Sequence, residues 1–216
     1  MVPVVLIDNF WYLVRGAEIT VVLSIGTLVP STVIGVIVAL LKVFGGRLFG
    51  ALVDVYLYVV RGVPLLVLLF FMYFGLPYSG INLRPTLGGL LVMSIYIGAF
   101  MSEIFRAAIL SLPKAQWDAA RSLGMPRPLM LRIVIFPQVF RLAAPPFVNT
   151  CVLLIKSTSL VSIIGLWELT LAGREVAERT FAPFQIFFGV AAIYFTLCYL
   201  LSRYGLYLEG RMRFVD

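Results

Sequence analysis

Four runs of this sequence contain no Asp, Glu, Lys or Arg for 18 residues or more: Ile19–Leu41, Gly62–Leu83, Pro85–Ser102 and Thr180–Ser202. A fifth, Leu142–Trp167, carries a single charge, Lys156. A helix that crosses the hydrocarbon core of a bilayer needs about 20 predominantly apolar residues. The runs therefore predict an all-α membrane protein with five transmembrane helices, at about 19–41, 55–77, 85–105, 142–166 and 180–202. The chain is 62% hydrophobic and 12% charged, against about 45–50% and about 25% in soluble domains. That balance excludes a disordered chain, a coiled coil and an ordinary soluble enzyme. Met1–Ile7 is too short for the apolar stretch of a cleavable signal and has no basic residue before it, so the first long run is expected to stay in the mature protein.

The remaining charge is basic, with 17 Lys+Arg against 10 Asp+Glu and no His. These residues are spread between the apolar runs and form no single patch, which argues against nucleic acid and for loop charge that sets membrane orientation. With the N-terminus outside and the C-terminus cytoplasmic, 12 of the 17, Arg213 among them, fall on the inner side, four fall outside and Lys156 lies within a span. Asp8, Glu168, Glu175 and Glu178 then belong to the outer segments. Cys151 and Cys198 stand in apolar segments and make neither a disulfide framework nor a metal site. With no 20–50-residue repeat, residues 1–216 read as a single membrane domain.

The largest inner segment, Glu103–Arg141, is too polar to span. Ser111 is a candidate helix cap, Pro113 suits a first turn, and Pro113–Leu123 is rich in helix formers. Gly124 suits a left-handed helix end, with Pro126 and Pro128 discouraging continuation. A second helix is expected over about Leu129–Phe140. Ala115, Ala119, Ala120 and Leu123 give the first helix a compact apolar side, and Lys114, Asp118 and Arg121 a polar one. Small alanines allow another backbone to approach closely. Such a helix either docks into a protein groove or rests on the membrane surface.

The stretch resembles the EAA loop of ABC importer permeases, whose pattern is E-A-A, three residues, G, nine residues, I-x-L-P. This chain reads Asp118-Ala119-Ala120, then Gly124, then Val134-Ile135-Phe136-Pro137. Further elements are similar to the polar amino acid uptake branch and occur in its order: Arg61-Gly62-Val63-Pro64-Leu65, Glu103-Ile104-Phe105-Arg106-Ala107, Pro113-Lys114-Ala115-Gln116-Trp117, Phe136-Pro137-Gln138 and Lys156-Ser157-Thr158-Ser159-Leu160. Ser157 stands where that branch often carries Asp.

The resemblance implies a pore-forming importer subunit of the bacterial inner membrane. Two such subunits would surround the pathway. A cytoplasmic coupling helix between helices 3 and 4 would sit in a groove of an ABC ATPase dimer, which moves it on binding ATP. A binding protein outside would deliver an amino acid or close analogue. Lys114, Asp118, Ala119, Ala120, Arg121 and Gly124 are the implied coupling residues. No cofactor is expected on this chain, since ATP and Mg would sit on the ATPase; the sequence has no G-x-x-x-x-G-K-[ST] phosphate loop.

Ionisable residues inside spans read as functional by default. Lys156 falls near the middle of its run, with Asn149 seven residues earlier on the same helical face and Thr158 and Ser159 beside it. This group reads either as a polar stripe that holds a substrate carboxylate or as a structural ion pair. Glu103 and Arg106, three apart, read as an interfacial pair or a gate, and Asp54 and Arg61, seven apart, as anchors or partner contacts; Glu103 and Arg61 join Asn149, Lys156, Thr158 and Ser159 as candidates for the substrate pathway. Pro30, Pro64, Pro145 and Pro146 suit kinked packing, and Gly26, Gly35, Gly88, Gly89 and Gly98 close helix contact. The alternative to an importer subunit is an ATP-independent channel or secondary transporter for small polar solutes. An intramembrane enzyme has no catalytic constellation in its favour, and no metal site is visible.

Overall fold

A computed structural model of the chain describes residues 2–212; the ends of the expected 1–216 domain, Arg213 included, lie outside the described residues. The described residues are helical, with short connections and no strand. Helix α1 (Val2–Phe44) is followed by α2 (Gly46–Gly62), α3 (Leu65–Phe70), α4 (Pro85–Leu110), α5 (Lys114–Ser122), α6 (Arg127–Met130), α7 (Phe136–Ser157), α8 (Leu169–Thr180) and α9 (Pro183–Met212). Among the described residues, four continuous helical stretches are long and apolar enough to span a membrane: Val5–Phe44, Pro85–Leu110, Arg127–Ile164 and Pro183–Arg211.

The fifth is broken. Gly46–Gly62 and Leu65–Ser79 meet at 97°, so the straight helix expected over 55–77 is corrected to a bent pair. The cause is local. Proline disfavours α conformation in the residue before it, and Val63 is extended, with φ −105 and ψ 132, ahead of Pro64. Two further prolines leave milder marks. Pro77 and Pro137 cannot donate to the carbonyls four residues back, and their rings crowd those carbonyls. Around Tyr73 and Ile133, the residues at that distance, the helix widens into π turns over Phe71–Gly75 and Leu131–Ile135.

Helix α1 is also longer than the expected 19–41. Its first half packs with α8 and α9 around Leu13, Ala17, Leu169, Val176, Ile186 and Val190. Its second half packs against α4 in a larger core that includes Leu23, Met93, Ile97, Met101, Ile135 and Leu154. Gly26 lies beside Leu90 and Gly35 beside Met101, so α1 and α4 run in the same direction. Thr20, Ser24, Thr27 and Ser31 are all buried on the packed face of α1. Small side chains with helical spacing let two membrane helices approach closely.

The polar segment is shorter than the sequence suggested. Helix α4 runs on to Leu110, and one helical stretch begins at Arg127 and continues to Ile164. The separate helix expected at Leu129–Phe140 is therefore the first part of the following span, because no helix breaker stands between Phe140 and Leu142. Ser111 does not cap α5. It ends α4, its hydroxyl donating to the Ala108 carbonyl, and Pro113 occupies the cap position of α5.

Candidate functional site

Helix α5 lies in the connection between α4 and the Arg127–Ile164 stretch. Ala120 is buried, and Trp117 is half-buried, with its ring 6.3 Å from that of Phe44 at the end of α1. The C-terminus closes with a Schellman pair: Gly124 N–H donates to the Arg121 carbonyl at 2.9 Å and Met125 N–H to the Ala120 carbonyl at 3.2 Å. Gly124 has φ +71, as this turn requires. Met125 packs on the larger core.

The opposite side of α5 is open. Lys114, Ala115, Asp118, Ala119, Arg121 and Gly124 are exposed, and Leu123 is 75% exposed. Asp118 and Arg121 approach to 3.6 Å in an exposed i, i+3 pair, an arrangement of small energetic weight. Of the two residues expected to permit close packing, Ala120 is used within the chain and Ala119 faces outward. Helix α5 is thus a short element held from beneath, presenting one large apolar side chain among small and charged ones.

Lys156 occupies the last turn of α7, eight residues before the helical stretch ends at Ile164. It is exposed along a groove of about 300 Å³ that Tyr194, Cys198, Tyr199 and Ser202 of α9 also line. No carboxylate lies within ion-pair distance of it among the described residues. Asn149 is exposed on the same side of α7. Thr158 turns into the core, its hydroxyl donating to the Ile155 carbonyl, and Ser159 donates to the Lys156 carbonyl. The two hydroxyls satisfy backbone groups, which leaves Asn149 and Lys156 as the polar pair of that face. Ser157 is buried and donates to the Leu153 carbonyl.

Arg61 and Glu103 are in another place. They line a cavity of about 650 Å³ between α2 and the C-terminal ends of α1 and α4. Glu103 takes both a 3.0 Å and a 2.9 Å bond from Arg106, and Lys42 Nζ lies 2.6 Å from Asp54 Oδ1. Asp54, read as an anchor from its spacing, thus pins α2 to α1. The six residues read as pathway candidates fall into two groups, one on α7 and its continuation and one on α2 and α4.

One buried group escaped sequence reasoning. Glu168, counted above with the outer acids, is 0% exposed. Its carboxylate caps α8 by accepting from Leu171 N–H at 3.0 Å, and it also accepts from Tyr194 Oη at 2.7 Å and Thr20 Oγ1 at 3.3 Å. It ties α1, α8 and α9 together, and through Tyr194 it touches the wall of the Lys156 groove. Glutamate is not a preferred cap residue. The available signal was its position between Gly165, a left-handed turn at φ +79, and a new helical pattern. Nearby, Glu175 accepts from Trp167 Nε1 at 3.0 Å and from the Tyr12 hydroxyl, and Arg179 lies over the Tyr12 ring at 5.2 Å.

Residues 31–214 match the family described as "Binding-protein-dependent transport system inner membrane component". The chain is 36% identical over 207 residues to the L-cystine transport system permease protein TcyB of Bacillus subtilis, covering 95% of this chain and 88% of that one. It is 34% identical over 205 residues to the probable amino-acid ABC transporter permease protein YckA of the same organism, with 95% and 91% covered. It is 34% identical over 203 residues to the glutamine transport system permease protein GlnP of Escherichia coli K12, covering 93% of each. Among solved structures, a chain from "an amino acid ABC transporter with histidines" superposes with a TM-score of 0.89 at 30% identity, over 95% of this chain and 96% of that one. The MetNI methionine ABC transporter shares the fold, with a TM-score of 0.81 at 18% identity over 96% and 99%.

Proposed function

The chain belongs to the family of binding-protein-dependent transport system inner membrane components, and on that premise we propose that it forms half of the pore of an ATP-driven importer for polar amino acids or close analogues. It is a multi-pass permease subunit of the inner membrane, and ATP hydrolysis falls to a separate protein. Membership implies partnership with an ATPase and a substrate-binding protein. The specific assembly we infer is a cytoplasmic ABC ATPase dimer, a second permease copy, identical or related, and an extracytoplasmic binding protein. ATP and Mg are assigned to the ATPase, and no cofactor to this chain. The charge asymmetry of the sequence supports an N-terminus outside and a C-terminus inside, which puts α5 on the cytoplasmic face.

The observation that carries this reading is the way α5 is mounted. Its inner side is fixed through Trp117 beside Phe44 at the end of α1 and through Ala120 in the larger core, where α5 meets the Leu131–Ile135 turn, and its outer side offers Leu123, Ala119, Asp118 and Arg121. A partner groove that grips the outer side can push the helix only by moving what it is fixed to. The Schellman turn at Gly124 passes that push to Arg127–Ile164, the stretch that carries Lys156. The π turn at Leu131–Ile135 is the compliant point along that stretch.

Lys156 then supplies the substrate contact. Its groove has no carboxylate in its lining, and Ser157 leaves the adjacent position uncharged. An ammonium in these surroundings suits a substrate carboxylate, and the groove disfavours substrates with an additional positive charge. Reconstitution in proteoliposomes with the ATPase and binding protein, followed by competition with a panel of amino acids, tests the whole reading. ATP-dependent uptake of a polar amino acid is expected. Uptake by this chain without the ATPase would replace the reading with a channel or secondary transporter.

A further inference from the structure

The cavity between α2 and the ends of α1 and α4 holds three cations and two carboxylates. Two of the cations are neutralised, Lys42 by Asp54 and Arg106 by both oxygens of Glu103. Arg61 has no carboxylate within ion-pair distance among the described residues. Its guanidinium lies 5.3 Å from the centre of the Phe100 ring, facing the cavity. With the pairs cancelled, the cavity carries one uncompensated positive charge, in the planar fork that matches a phosphate or carboxylate.

The surface next to it is apolar. On α2, Leu48, Leu52, Val55 and Val59 recur at helical spacing, and each is more than half exposed. Tyr58, 79% exposed, stands between this stripe and the face that carries Asp54 and Arg61. A fork-shaped cation continuous with an apolar stripe is complementary to an amphiphile. A free amino acid or inorganic phosphate would use the cation and leave the stripe uncovered. The depth agrees, since Lys42 lies in the last turn of α1 and Arg106 four residues before the end of α4, where headgroups rather than acyl tails reside.

We propose that this cavity is a site for an anionic phospholipid, with the phosphate on Arg61 and an acyl chain along the α2 stripe. A zwitterionic headgroup fits less well, because both carboxylates that could receive its ammonium are already paired. The site is separate from the Lys156 groove and does not depend on the transport reading.

Native mass spectrometry of the detergent-purified full chain tests it, with phosphatidylglycerol and phosphatidylcholine of identical acyl chains as probes. Wild type is expected to retain phosphatidylglycerol about fivefold better, the effect of one basic residue near an anionic lipid. Arg61→Gln should bring that ratio close to one. Arg61→Lys, which keeps the charge without the fork, should preserve part of it, and thermal unfolding midpoints report whether both variants are folded. Equal retention by wild type and folded Arg61→Gln would overturn the proposal, as would displacement of the lipid by millimolar glutamine. Disulfide cross-linking of two copies through Val55→Cys would assign the stripe to a protein interface and also overturn it.

Discussion

Gly98 of α4 rests directly against Ile34 of α1. A methyl group added at Gly98 would come within 2.7 Å of Ile34 Cγ2, and one turn further along, Gly35 of α1 meets Met101 of α4 just as tightly, at 2.5 Å. The two parallel helices thus fit by exchanging glycines, each filled by a side chain of the other. Gly98→Ala is expected to cost about 1–3 kcal/mol through overpacking, seen as a lower thermal unfolding midpoint of the purified chain. Gly62→Ala, where nothing lies within 4 Å, is the control and should leave the midpoint in place. Equal midpoints for the two variants would mean that α1 and α4 are not in close contact.

Glu168 is the polar joint of the second core. Its carboxylate is fully buried and receives Tyr194, Thr20 and a backbone N–H. Glu168→Leu leaves two hydroxyls and a helix-end N–H without their acceptor. An unsatisfied buried donor costs about 1–3 kcal/mol, so this variant should unfold well below wild type. Tyr194→Phe removes one donor and leaves the cap bond intact, and should lose about 1 kcal/mol. If Tyr194→Phe proves the more damaging of the two, the carboxylate is not the centre of the joint.

The exposed side of α5 can be tested separately from its mounting. Leu123 touches little of its own chain, so Leu123→Glu should change stability by no more than about 0.5 kcal/mol while weakening capture of the ATPase subunit. Gly124→Val acts on the mounting. A β-branched residue at φ +71 is strained by roughly 1–2 kcal/mol or more, and the turn that joins α5 to Arg127 should distort. In reconstituted transporter this variant is expected to hydrolyse ATP without matching uptake. Normal transport together with normal ATPase rates would remove α5 from the coupling role.

The sequence made the spans and the Gly124 turn legible because both depend on one-dimensional rules. Hydrocarbon excludes charge, and a left-handed helix end admits little besides glycine. Pro64 was legible as a site of kinked packing, but the size of the 97° break was not, since an averaged hydropathy window ignores that the backbone at Val63 and Pro64 cannot continue the helix. The early start of α1 was missed because its first half is held by α8 and α9, which lie far away in sequence. Glu168 looked like a loop acid for the same reason: its partners Thr20 and Tyr194 are 148 and 26 residues distant. Among the candidate residues, spacing predicted the shared face of Asn149 and Lys156, whereas the inward turn of Thr158 depends on how the helix tightens after Ser157.

Lys156 offers the sharpest test of the transport reading, because its surroundings separate two roles. It is exposed and makes no ion pair among the described residues, so the fold gains little from its charge. Lys156→Ala should therefore keep the wild-type unfolding midpoint. A hydrogen bond to a charged group contributes about 1.5–3 kcal/mol, so losing it to a substrate carboxylate should lower kcat/KM for uptake by roughly 10- to 100-fold. Lys156→Arg, which keeps the charge, should recover part of that loss, whereas Lys156→Gln should not. Unchanged uptake with a lowered midpoint would make Lys156 a structural residue and leave the substrate contact to be sought elsewhere.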